Sequence, residues 1–230
     1  YDTGDILWAK EGRAESTRTG FFWEYLEPYS KSWHGKSVLD IGAGTGWLVV
    51  RALECGASKA VGIEPSANNV VQGKQDHPDV ELQQTTFESF DGKNQQFDEI
   101  VAVMSFPHIA DLSAAFSKIH SLLTENGEAI IIVSDYDYFQ TPRHGYSIEQ
   151  QSIDEESYAI AVTRPSGTLA DIVRKTSVYQ RAAESAGLEL AEDKEMKPTE
   201  NQIANAPKYA TVKDKALTRL LVFKLKPEAS

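Results

Sequence analysis

Hydrophobic positions along the 230 residues recur with two periods. Short apolar runs bounded by turn residues, at 38–41, 59–64, 80–84, 97–104 and 128–133, read as strands, and the run at 97–104 is apolar enough past Glu99 to be covered on both faces. Between them stand stripes at helical spacing. Residues 47–54 form one, closed near Gly56, and apolar residues at 112, 115, 116, 119, 122 and 123 form another, ended by Asn126-Gly127. Strand and helix alternate through these five runs, which predicts right-handed crossovers and a parallel sheet. A helix at 177–186, closed by Gly187, and strands at 188–192 and 217–225 extend the pattern. Ahead of it, Phe22, Tyr25, Leu26 and Tyr29 share one helical face, so a helix ending near 28–30 is expected.

Two stretches break the rhythm. Residues 134–175 read as long and irregular, and 199–214 as a second polar insertion. Loops of such length are commonly functional, and the first leaves the carboxyl end of a strand, so it is read as a substrate lid.

Composition narrows the classes of function. Net charge is 23 − 34 = −11, a sign that repels phosphate backbones and argues against nucleic acid as a partner. The segment 194–230 is locally basic, with eight Lys or Arg against four Asp or Glu, and reads as a solvated strand face with Lys224 and Lys226 outward. Cys55 is the single cysteine, so no internal disulfide forms. No apolar run nears the ~18 residues of a membrane span. No signal-peptide pattern opens the sequence, which starts at Tyr1 rather than a methionine; the expected compartment is the cytoplasm, with no membrane partner. No metal-ligand spacing is present, and the five histidines are scattered.

Chemistry concentrates at Val38-Leu39-Asp40-Ile41-Gly42-Ala43-Gly44-Thr45-Gly46-Trp47-Leu48. Strand, glycine turn and helix follow one another there. Glycine lets backbone enter left-handed conformations and lets a ligand lie against the main chain, while the next helix aims its unpaired N–H groups at the same spot. A dinucleotide fingerprint requires glycine or alanine at position 47, and a phosphate loop requires Lys-Ser/Thr after the last glycine. Trp47 and Leu48 fit neither. Glu64 ends the second strand 18 residues after Gly46, close to the ~20 expected of a carboxylate that accepts from ribose hydroxyls.

The run of two hydrophobic residues, Asp40, a hydrophobic residue, then Gly42-x-Gly44-x-Gly46 resembles the first motif of class I S-adenosylmethionine-dependent methyltransferases, of the small-molecule type. The resemblance covers about residues 38–133. It implies a Rossmann-like α/β fold with a seven-stranded, mostly parallel sheet, an antiparallel last strand and helices on both faces. It also implies an S-adenosylmethionine site built from Asp40, Gly42, Ala43, Gly44, Gly46 and Trp47 of the turn, and from Glu64 and Pro65 after the second strand. Thr86 and Phe87 follow the third strand, where relatives wall the adenine; an Asp is common at the Thr86 position, and Phe87 reads equally as core. Met104 and Ser105 end the fourth strand beside the donor. Relatives often place a basic cap residue near the cofactor's carboxylate, and Arg18 is the candidate.

Ser105-Phe106-Pro107-His108 departs from the [D/N/S]-P-P-[Y/F/W] pattern of enzymes that methylate base amines, which directs the reading to a small-molecule acceptor. His108 is the candidate base or orienting group, or equally a residue that packs at the start of the next helix. Asp135 and Tyr136, with His144, are candidates for gripping an amine or phenol, and Arg143 for an acidic acceptor. The organisation expected is an N-terminal helical cap (1–36), a donor-binding core (37–134), a lid insertion (135–176) and a C-terminal part of the same domain (177–230). Two other readings stand beside methyl transfer to O or N. One is a non-catalytic S-adenosylmethionine-binding regulatory module. The other is a nicotinamide oxidoreductase, suggested by Tyr209-x-x-x-Lys213 but lacking the turn and helix context that such a pair needs.

Overall fold

The computed structural model of the chain describes residues 17–92, 95–140, 147–164, 167–205 and 207–227. The apolar runs become β1 (Ser37–Ile41), β2 (Lys59–Glu64), β3 (Glu81–Gln84), β4 (Phe97–Val103) and β5 (Leu123–Ser134), all parallel. The later strands, β9 (Leu188–Met196) and β10 (Thr218–Leu225), complete a seven-stranded sheet in the order β3-β2-β1-β4-β5-β10-β9. β10 is antiparallel to both of its neighbours. The order reverses between β1 and β4, and beyond the carboxyl ends of strands at such a switch point an open α/β sheet holds its ligand.

Alternation along β5 shows why the sheet is covered twice. Ala129, Ile131 and Val133 pack on one side beneath α4 (Leu112–Leu122) and α5 (Thr176–Ser185). Ile130 and Ile132 pack on the other, where α1 (Thr17–Ser30), α2 (Trp47–Glu54) and α3 (Ala67–Asp76) lie. Phe21, Phe22 and Leu26 of α1 are buried in that second layer with Trp33, so the N-terminal aromatic face is core. α3 is capped by Ser66, which accepts from the Asn69 N–H, and α4 by Asp111, which accepts from the Ala114 N–H.

The stretch expected to be irregular is largely sheet. β6 (Ser147–Ser152), β7 (Ser157–Arg164) and β8 (Gly167–Arg174) form an antiparallel meander with its own small core of Phe139, Tyr158, Ile160, Val162 and Val173. β6 is almost wholly exposed, so it presents no inward apolar set to a reader of periodicity. Asn126-Gly127 does not separate helix from strand either. α4 stops at Leu122, β5 starts at Leu123, and the extra residues are absorbed by a bulge opposite Phe97 and Glu99. No helix joins β3 to β4 among the described residues. The second polar insertion holds a short helix, α6 (Glu200–Asn205), and a 3₁₀ turn at Pro207–Val212.

Three cations of the basic C-terminal segment are paired in place: Lys197 with Glu195 (2.8 Å), Arg219 with Asp193 (2.7 Å) and Lys224 with Glu128 (2.7 Å). Among the described residues no helix is long and apolar enough to cross a membrane, and no group of three or more His, Cys, Asp or Glu is arranged to hold a metal ion.

Candidate active site

The turn after β1 is tied to β2 at two levels. Gly42 and Ala43 donate their N–H groups to the Ile63 carbonyl (2.9 and 3.0 Å), and the Gly44 N–H donates to Glu64 Oε2 (2.9 Å). The other carboxylate oxygen of Glu64 accepts from the Ser66 N–H (3.0 Å) and from Asn69 Nδ2 (3.3 Å). One buried carboxylate thus fixes both the glycine turn and the start of α3. A carboxylate offers about four acceptor positions, so these three donors leave room for another.

Gly42 and Gly44 both have left-handed backbone, with φ +76° and +56°, but for different ends. A Cβ on Gly42 would stand 2.5 Å from Ser105 Cβ, so here glycine lets the β1 and β4 loops touch. A Cβ on Gly44 would meet nothing within 4 Å. That position opens onto free space, as a cradle for a ligand must. Gly42→Ala is therefore expected to cost stability, lowering Tm by several degrees. Gly44→Asn, a residue that tolerates this backbone, is expected to keep Tm within a few degrees and lose at least tenfold in S-adenosylhomocysteine affinity. Thermal melts and calorimetry on the two variants check this.

The other expected donor-site residues fall as follows. Gly46 donates to the Ala43 carbonyl (2.8 Å) and stands at the N-cap of α2, followed by half-buried Trp47, which packs on the α2 side of the sheet. Pro65 is exposed beside Glu64. Thr86 is exposed, and its hydroxyl accepts from the Ser89 N–H (3.2 Å). Phe87 is packed in the core on the α4 side, with Lys118 Nζ 5.4 Å from its ring centre, so its side chain serves packing. Met104 holds φ +59°, the one positive-φ non-glycine among the described residues, and presents Ser105 to the turn. Backbone held in so sparse a region is characteristic of functional sites. Arg18 lies on α1 with its side chain outside the described residues, and Arg143 and His144 lie outside them altogether.

Asp40 is 3% exposed, and its Oδ2 has no hydrogen-bond partner. Burial, and then repulsion from Glu64, push its carboxyl up to about 8. Ser105 Oγ is likewise buried without a partner. Two orphaned polar atoms and an open glycine cradle around a buried acidic pair fit a donor that brings cations and a diol. Asp40 would face its positive charge, Glu64 its ribose hydroxyls, and the main chain at Gly42–Gly44 its amino-acid part.

Of the candidates for chemistry, His108 sits in a 3₁₀ turn, Phe106–His108, directly after β4. Its Nδ1 stands 3.4 Å from Asp171 Oδ1 on β8. Asp135 and Tyr136 are held by the protein itself. Asp135 pairs with Arg219 (3.3 Å) and accepts from the Asp137 N–H (3.0 Å). Tyr136 donates from its hydroxyl to the Glu155 carbonyl (3.4 Å) and packs edge-on against Tyr158. Sequence reasoning missed Asp171 and Arg174. The available signal was parity: Asp171 shares a strand face with buried Val173, an acid in an apolar row. A cleft of about 730 Å³ runs between the start of α4, the β6–β7 turn and α5, lined by Asp111, Asp154, Arg174 and Arg181 among others; no glycine-turn residue borders it.

Residues 19–193 match the methyltransferase domain family. The chain belongs to that family, and its architecture is the class I, S-adenosylmethionine-dependent one. A ubiquinone biosynthesis O-methyltransferase of Rhodopseudomonas palustris is 31% identical over 101 residues, 42% of this chain and 39% of the relative. The chain thus matches about two fifths of the length of such relatives. An S-adenosylmethionine-dependent methyltransferase from Mesorhizobium loti shares the fold at TM-score 0.68 and 18% identity, over 86% of this chain and 96% of that one. The 1,6-didemethyltoxoflavin N1-methyltransferase of Burkholderia thailandensis, with its acceptor and S-adenosylhomocysteine bound, shares it at TM-score 0.59 and 14% identity, over 88% and 78%. Membership of this family replaces the nicotinamide oxidoreductase reading.

Proposed function

We propose that the chain transfers the methyl group of S-adenosylmethionine to an oxygen or nitrogen of a small-molecule acceptor, in the cytoplasm, with an oxygen favoured by the names of its relatives. The observation that carries the reading is Glu64 bonded across the strands to the Gly44 N–H, with Asp40 Oδ2 and Ser105 Oγ buried and without a hydrogen-bond partner. When bound, the donor supplies a methyl group already activated by the positive charge on sulfur. The chain's part is to bring the acceptor into line, which can contribute ~7 to 11 kcal/mol. The insertion at 135–176 borders the His108 turn through β8 and forms the acceptor side of the site.

A hydroxyl acceptor must also lose a proton. In this reading His108 Nε2 takes it as the oxygen forms its bond to the methyl carbon and the carbon–sulfur bond breaks, its electron pair staying on sulfur. The imidazolium then returns the proton to water. His108→Ala is expected to lower turnover by about 10²- to 10⁴-fold, the usual range for a positioned base, and to leave S-adenosylhomocysteine affinity within twofold. Single-turnover release of S-adenosylhomocysteine against a panel of phenols and amines tests the function itself. Donor binding with no methyl loss across that panel would favour a regulatory binding module instead.

A further inference from the structure

We infer that Asp171, delivered by the insertion, is the positioning residue of His108: it holds the proton on Nδ1 and so keeps Nε2 free to act as the base. The inference rests on the reading of His108 given above. Its ground is geometric. His108 follows β4 at the switch point, three residues after Ser105, whose Cβ bears on Gly42. Asp171 comes from another sheet altogether, 63 residues further along, yet its side chain is only 2% exposed and its Oδ1 stands 3.4 Å from Nδ1. The ring itself is 36% exposed. One nitrogen thus faces a buried carboxylate, and Nε2 lies on the opposite side of the ring.

The approach is held from both sides. Arg174, three residues beyond Asp171 on β8, donates from Nη2 to the Ile109 carbonyl (2.8 Å) and pins the segment next to His108. Asp171 pairs in register with Ile160, inside the small core of the insertion. Placing an acid on that apolar face costs desolvation unless a polar group meets it, and the His108 ring reaches it from the other sheet. At 3.4 Å the pair is a close contact and not a hydrogen bond in this structure, a looseness common before substrate tightens such a site. The consequence is a division of labour. The Rossmann-like layer binds the donor, and the meander contributes no reacting group but sets the tautomer of one.

Free histidine has two neutral tautomers, and which one forms is set by the bond that the other nitrogen makes. The test is therefore spectroscopic and needs no acceptor. With ¹⁵N-histidine label, near pH 8.5 where an ordinary histidine is neutral, the His108 signals are identified as those missing in His108→Ala. The expected wild-type pattern is the Nδ1–H tautomer, and in Asp171→Ala a shift to Nε2–H. Asp171→Asn, closer in volume, serves if the alanine variant fails to fold, and the wild-type tautomer is decisive alone. A wild-type Nε2–H pattern, or an Asp171 variant that leaves the pattern unchanged, overturns the inference. Kinetics separate the two levels. If His108→Ala lowers turnover on a panel phenol, Asp171→Ala is expected to lower kcat at least tenfold with little change in KM, and to add nothing in the His108→Ala background. Equal losses from Asp171→Ala in both backgrounds mean a merely structural role. Turnover unaffected by His108→Ala removes the base and this inference with it.

Discussion

Glu64→Ala is expected to abolish measurable S-adenosylhomocysteine binding, a loss of at least 100-fold by calorimetry, and to lower stability by roughly 3 to 5 kcal/mol. The stability figure follows from three donors left without their carboxylate, the N–H groups of Gly44 and Ser66 and Asn69 Nδ2, since hydrogen bonds to a charged group contribute roughly 1.5 to 3 kcal/mol each and do not add fully. The affinity figure has two sources. The carboxylate meant for the ribose diol is gone, and the turn that it braces loses its fixed backbone. Gly44→Asn separates these effects, because it occupies the cradle while leaving Glu64 in place. Full affinity in both variants would put the donor elsewhere.

The second large effect is on pH. A carboxyl raised to about 8 in the folded chain, against an ordinary value near 3.9, binds its proton more tightly when folded. Its sign is therefore unfavourable as pH rises: the cost is absent below about pH 4, grows through the interval, and is complete above about pH 8. Asp40→Asn is expected to match wild type in Tm near pH 4 and to exceed it by a margin that widens up to about pH 8 and then stays constant. Binding has the opposite sense. The ammonium of S-adenosylhomocysteine favours ionised Asp40, so affinity is expected to fall by up to tenfold for each unit below about pH 8, with uptake of the cofactor releasing a proton. In Asp40→Asn the affinity is weak and flat across the same range. Calorimetry in two buffers of different ionisation enthalpy counts the proton. A wild-type affinity independent of pH between 5 and 8 would mean that Asp40 does not meet the donor's charge.

Where the sequence speaks locally it speaks well. Trp47–Glu54 and Lys59–Glu64 emerge with the bounds that periodicity suggests, because each is one amphipathic or apolar run between glycine or polar stops. The glycine turn and Glu64 were legible as two parts of one site for the same reason, since both sit at fixed offsets from those runs, whereas the hydrogen bond that ties them was not read. The insertion was not legible. Tyr158, Ile160 and Val162 alternate as a half-buried strand should, but β6 carries a single apolar residue, Ile148, and one clear strand in about forty residues reads as loop. Nor does any spacing announce that Asp171 meets His108, since that contact depends on how a second sheet docks. Phe87 shows the converse: an aromatic residue at the expected adenine position is claimed by the core because α4 passes close enough to set Lys118 over its ring.

The central claim is that the glycine turn and Glu64 together hold a sulfonium nucleoside. A crystal structure of the S-adenosylhomocysteine complex tests it most directly. The account predicts the ribose diol against Glu64, with one hydroxyl at ~2.6 to 3.2 Å in the acceptor position that Gly44, Ser66 and Asn69 leave, and the main chain at Gly42–Gly44 along the amino-acid part. A nucleoside seated elsewhere, such as the cleft beside Arg174, with Glu64 still engaged only by Gly44, Ser66 and Asn69, would contradict it.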